Sequence, residues 1–165
     1  DPQGGYWKGS MWPPTNYMVL RGLTRHGYDK LAHEIAMNHL ANVYKVFEET
    51  GTVWENYAPE SAAPGTPARG DFVGWGGVPP VAVLLEYAFG LRPSVPDNTL
   101  VWDVRLLEGH GVSRYPFGKD GLLELRCAAR NTAHERPEIT ATSTIPLTLE
   151  VRWESGMERL ELRPE

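Results

Sequence analysis

The chain has a single cysteine, Cys127, among 165 residues, which excludes an intrachain disulfide framework. Cys127 falls in an alternating run with Leu123, Leu125 and Ala129, so it is expected as a buried, inert thiol on a strand. Long apolar runs are also missing. Val78 to Leu85 holds two prolines and is far shorter than the roughly 20 residues a bilayer-spanning helix needs, so no membrane partner is expected. Nor is there an excess of basic charge: 16 Lys and Arg stand against 21 Asp and Glu, giving a net charge of −5. The cations are scattered, with no stripe to follow a phosphate backbone, so nucleic acid is excluded as a partner class. The five histidines lack zinc-site spacing, and His33 and His39, six apart, lie off one helical face. The sequence has no G-x-S-x-G elbow, no phosphate-binding P-loop and no dinucleotide fingerprint, so neither metal nor cofactor is expected.

What is present is a hydrophobic fraction of 41%, enough for a real core, and six tryptophans with an uneven distribution. Trp7, Trp12, Trp54 and Trp75 stand beside glycine, proline or polar residues, whereas Trp102 and Trp153 sit inside strand-like runs.

Two periodicities divide the chain. Pro13 to Gly27 reads as a helix, with prolines in its first turn, Tyr17, Leu20 and Leu23 at helical spacing, and Gly27 suited to a left-handed terminus. A second helix is expected from Asp29, as N-cap, to Thr50, with Leu31, Ile35, Leu40, Val43 and Phe47 as its apolar stripe and Gly51 closing it. Residues 52–77 show no helical period and read as a long irregular connection, of a kind that is usually functional. A third helix follows Pro79 and Pro80. Val81 to Phe89 carries one charge, Glu86, and is expected to be buried on most sides.

After Pro93 the period becomes two. Leu100 to Leu106, Leu123 to Ala129, Leu147 to Trp153, and Leu160 with Leu162 alternate, separated by turn residues at 96–98, 118–121 and 155–156. The expected fold class is α+β: a helical segment at 1–92, then an antiparallel sheet or small sandwich at 93–165. The chain opens on Asp1 and reaches the dense Gly4-Gly5-Tyr6-Trp7-Lys8-Gly9 motif within a few residues, which reads as a fragment or processed product.

Two stretches carry the chemistry. Trp54-Glu55-Asn56-Tyr57 and Phe72 to Gly77 place a carboxylate among aromatic and amide groups, as a glycosidic-bond hydrolase would need, because sugar rings present C–H faces to indoles and hydroxyls to amides. The alternative is that Trp54 and Tyr57 anchor the core and Glu55 is a solvated loop acid. Tyr6 to Pro14 runs into a helix start, where Trp7, Lys8 and Trp12 can line a polar pocket with Asn16 one turn on, or both tryptophans can plug the helix end.

Tyr6-Trp7-Lys8-Gly9 with Trp12-Pro13, Trp54-Glu55-Asn56-Tyr57, and Gly74-Trp75-Gly76, in this order with helices between, resemble the last part of the (α/α)6-barrel domain of glycoside hydrolase family 63. The resemblance implies a carbohydrate substrate and an inverting α-glycosidase in which Glu55 is the general base. It implies substrate contacts from Tyr6, Trp7, Lys8, Trp12, Asn16, Trp54, Asn56, Tyr57, Trp75 and Gly76. The family more often has arginine where Lys8 stands, a planar fork in place of a point charge. Its general acid is an aspartate from an earlier barrel segment that nothing here matches, Asp1 and Asp71 included. A barrel cut in this way exposes helix faces, so a homo-oligomer is expected. A non-catalytic carbohydrate-binding or assembly module is the alternative.

Overall fold

The structure of the chain, a computed structural model, describes residues 1–164 and has the α+β order expected, with helices first and strands after. It divides into two compact units, Asp1–Tyr87 and Ala88–Glu165.

In the first unit, α1 (Pro13–Arg25) starts on two prolines, whose missing N–H groups are unneeded in a first turn. It ends with Gly27 at φ 78°. There the Tyr28 and Gly27 N–H groups return to the Leu23 and Thr24 carbonyls, satisfying acceptors a helix end leaves open. The helix α2 spans Asp29–Thr50 and closes on left-handed Gly51. Asp29 is its first helical residue rather than its cap; that place belongs to Tyr28, which makes no side-chain capping bond. A short turn, α3 (Val73–Gly76), is kinked at Gly74, and the third expected helix is a π-helix, Pro79–Ala88.

The buried stripe of α2 differs from the expected one. Ala32, Ala36, His39, Val43 and Val46 face inward at helical spacing, whereas Leu31 and Phe47 are 45% and 47% exposed. The small side chains explain the choice: Ala32 and Ala36 pack in one cluster with Leu20, Val83 and Tyr87, and alanine lets helix backbones approach closely. Burying Leu20 completely contributes about 2 kcal/mol. The π-helix is enclosed on most sides, as expected, with Val81 the only exposed residue from Val81 to Phe89. Val83 and Tyr87 are enclosed, but Val81 is 61% exposed.

His39, 4% exposed, is the one polar member of the α2 stripe. Asn16 Nδ2 lies 3.0 Å from its Nδ1 and ties α1 to α2. Burial lowers its pKa from 6.5 to about 4, so the folded chain holds it neutral through most of the acid range.

The second unit contains two sheets. One has the order β1-β2-β6-β7, formed by Leu91–Ser94, Thr99–Asp103, Leu147–Trp153 and Gly156–Leu162. The other has the order β3-β4-β5, formed by His110–Phe117, Gly121–Cys127 and Ile139–Ser143. Leu123, Leu125 and Cys127, and Leu147, Leu149 and Val151, are all buried as their alternation predicts, whereas Ala129 lies beyond the end of β4 and is exposed. Cys127 is the expected buried thiol. Among the described strand pairs only β2 and β6 run parallel, because β3 to β5 form their own sheet before the chain returns. On the other side of the first sheet Glu150 is buried between Arg152 and Arg159. Burial alone would push its carboxyl up, but hydrogen bonds from the two arginines outweigh that and hold it below its ordinary value.

Gly90 has φ 78°, and a Cβ there would stand 2.0 Å from the Asp103 carbonyl oxygen. Its own carbonyl accepts the Asp103 N–H at 3.0 Å. Gly90→Ala therefore meets both left-handed strain and a backbone clash, and is expected to lower chemical-denaturation stability by at least about 2 kcal/mol. Unchanged stability would contradict this geometry.

His39 sets an acid limit. The unfolded chain takes up its proton near pH 6.5 and the folded chain only near pH 4, so the contribution is intact above pH 6.5 and lost as pH falls toward 4. The slope is about 1.4 kcal/mol per pH unit and the total about 3 kcal/mol. In denaturation from pH 7 to 4.5, His39→Gln should flatten the acid-side loss relative to the parent chain; equal slopes would exclude this role.

Candidate active site

The connection after α2 is organised by its backbone. Met11 and Tyr57 exchange two N–H···O bonds, both 2.9 Å, joining the segment before α1 to the Glu55 loop. On the other side the Glu55 N–H donates to the Arg69 carbonyl at 2.9 Å, and the Phe72 N–H to Val53 at 3.1 Å. Residues 53–57 are thus held between two flanking segments. At about 1 kcal/mol net per hydrogen bond, this frame resists loop opening.

The frame gathers residues from all three aromatic motifs. The Tyr6 hydroxyl donates to Glu55 Oε1 at 3.1 Å, and the Trp75 indole N–H donates to the Glu55 carbonyl at 2.8 Å. Trp7 and Trp12 stack with centroids 3.6 Å apart and planes 4° from parallel. Tyr6 meets Trp12 edge-on at 4.8 Å, and Trp12 meets Trp75 edge-on at 5.8 Å. Trp12 is buried against the start of α1, while Trp7 is 60% exposed, so the stack has a fixed inner ring and an accessible outer one. Tyr6 holds φ 61°, a left-handed conformation that costs a non-glycine residue on the order of 1 kcal/mol. Its carbonyl accepts the Ser10 N–H at 3.1 Å and the Trp12 indole N–H at 3.3 Å, which fixes that conformation. The bond to Glu55 is the main cause that raises the Tyr6 hydroxyl above its ordinary pKa, so at neutral pH it is a protonated donor to the carboxylate.

The other expected site residues lie elsewhere. Asn56 is fully buried; its Nδ2 donates to the Pro67 carbonyl at 3.1 Å and its own carbonyl accepts the Gly65 N–H. Tyr57 is buried beside Val43 and Val46, where burial raises its pKa, and its hydroxyl accepts the Trp54 N–H at 3.2 Å. Trp54 packs on that same cluster and donates its indole N–H to Thr50. These residues hold Glu55 from behind. Gly76 is buried under the Trp54 carbonyl, where a Cβ would sit 3.0 Å away. Lys8 is exposed, and Asn16 turns to His39 instead of Glu55.

Sequence reading missed Ser10 and Met11. Ser10 Oγ and Asn56 Oδ1 are both buried without a hydrogen-bond partner and both lie against Gly65. The glycine is the only advance signal, since no larger residue fits there: a Cβ would fall 1.9 Å from Asn56 Oδ1. Among the described residues no three His, Cys, Asp or Glu side chains come together as a metal site. No helix among them is long and apolar enough to cross a membrane.

Residues 1–84 match the model of the glycosyl hydrolase family 63 C-terminal domain. Alpha-glucosidase 2 of Arabidopsis thaliana is 32% identical over 84 residues, covering 46% of this chain and 10% of that protein. Mannosyl-oligosaccharide glucosidase of Saccharomyces cerevisiae is 34% identical over 84 residues, covering 42% of this chain and 10% of that protein. An uncharacterized protein of Borreliella burgdorferi is 25% identical over 127 residues, covering 70% of this chain and 27% of that protein. The chain therefore spans about a quarter or less of the length of these relatives. No solved structure matches it. With half of its length matched to that model and glucosidases among its relatives, the chain belongs to glycosyl hydrolase family 63.

Proposed function

We propose that this chain supplies one half of an inverting α-glycosidase site, with Glu55 as general base and the general acid outside these residues. The observation that carries the reading is the meeting of Tyr6, Trp75 and Glu55 from three separate motifs around one carboxylate. In an inverting hydrolase the base activates water on one face of the sugar while an acid protonates the leaving oxygen on the other, the two carboxyls roughly 6.5–9.5 Å apart. Tyr6 occupies Oε1 as a donor, keeping that oxygen from the reacting water and directing Oε2 to it. Trp7, with its outer face open, and Trp75 form apolar platforms for the C–H face of a sugar ring. Asn56 and Tyr57 act behind Glu55 and hold its backbone in place.

The two named glucosidases point to an α-glucosidic bond as the substrate class. An α-mannosidic bond is the second candidate. The exposed apolar residues Met18, Val19, Leu31, Phe47 and Val81 support association of the helical unit with further helices, as in an α/α toroid, or with another copy of itself.

With no acid of its own, the purified chain should leave aryl α-glucosides and mannosylglycerate unhydrolysed. Robust turnover, abolished by Glu55→Gln, would place the acid within this chain or a second copy and overturn the half-site reading.

Light scattering of the purified chain should give a dimer or larger species. A clean monomer at high concentration would mean the apolar faces need no cover.

A further inference from the structure

A second cavity lies between α2 and residues 57–63. Its volume is about 360 Å3, within the usual range of roughly 300–1,000 Å3 for small-molecule sites. Asn38 and Asn42 line one side from successive turns of α2, Asn16 and His39 stand beside them, and Glu60 and Ser61 lie on the loop opposite. Glu55, Trp7 and Trp75 are not among its walls, so it is separate from the carboxylate site.

The chemistry of the walls selects a ligand class. Three side-chain amides, the hydroxyls of Ser61 and Tyr57 and a neutral imidazole offer both donors and acceptors, and no Lys or Arg contributes. An anion would find no countercharge and would meet Glu60. A purely apolar ligand would strip water from the amides without pairing them, at a cost of about 1–3 kcal/mol for each group it covers. A ring bearing several hydroxyls satisfies both conditions, and Ala58, Ala62, Ile35 and Val46 provide apolar surface for its C–H groups. Asn16 Nδ2 is engaged with His39, leaving its carbonyl as an acceptor, while the Asn42 amide donates to Asn38, aligning the two α2 amides.

We propose that this cavity binds a neutral monosaccharide, as a site additional to the one at Glu55. Asn42 and Asn38 act as its principal hydrogen-bonding groups and Asn16 as the third. The proposal stands independently of the catalytic reading, because its three hydrogen-bonding groups are not bonded to Glu55, and the two sites share the Met11 and Tyr57 pair, as walls of one and supports of the other.

The test is a two-dimensional NMR titration of the whole chain with D-glucose, reading the side-chain amides of Asn38 and Asn42 and the indole N–H of Trp75 in one experiment. A saturable shift of both amides is expected. Asn42→Leu, a change that favours helix, should weaken that binding about tenfold or more and leave any Trp75 response unaltered. Asn38→Leu should act in the same direction, which guards against an effect of one variant on folding. Absence of a saturable shift at either amide overturns the proposal, as does amide binding unchanged in both variants.

Discussion

Met11 and Tyr57 lie 46 positions apart and exchange a pair of backbone hydrogen bonds, and the geometry around Glu55 depends on that exchange. A backbone pair of this kind tolerates many side chains but not a shift of register, since slipping by one residue would turn Tyr57 out of the Val43 and Val46 cluster. With the pair in place, Tyr6 reaches Glu55 from one side while Trp75 grips its backbone from the other. Without it, the segment before α1 and the loop after α2 would be separate connections, and the carboxylate would have no fixed neighbours.

The same pair separates two environments. On one side is the aromatic group of Tyr6, Trp7, Trp12 and Trp75; on the other is the amide-lined cavity, of which Met11 and Tyr57 are themselves walls. Asn16 belongs to the second environment although its position one turn into α1 suggested the first. A helix turns about 100° per residue, so Trp12 and Asn16 share a face only approximately, and the hydrogen bond to His39 decides where Asn16 points. His39 in turn is acceptable inside α2 because that bond satisfies one ring nitrogen and burial keeps the ring neutral.

Much of the fold was legible because its determinants are local. Prolines at 13 and 14, left-handed glycines at 27 and 51, and the alternation through Leu123, Leu125 and Cys127 each act over a few residues, and α1, α2 and β4 follow them. The inward face of α2 was not legible, since choosing Ala32 and Ala36 over Leu31 and Phe47 depends on how closely α1 approaches, which no local pattern records. Three strands were also missed. β1 is short and contains a proline, the residues of β5 are mostly polar, and β3 is broken by a bulge between Val112 and Tyr115 where Arg114 takes φ 55°, so none alternates cleanly. At the site, residue types were readable from the motifs, but orientation was not. Asn56 and Tyr57 stand in the same motif as Glu55 yet point into the protein: Asn56 because successive residues of an extended segment face opposite ways, Tyr57 because it packs on Val43 and Val46 of α2.

The central claim is that the segment before α1 and the Glu55 loop form one wall of a single sugar site. Intermolecular nuclear Overhauser contacts between a bound glucoside and the indole protons of the chain test it most directly. The account predicts contacts to Trp7 and Trp75 that rise together with one affinity and vanish together in Trp75→Ala. Contacts to one ring alone, two different affinities, or no contact to either ring would contradict it.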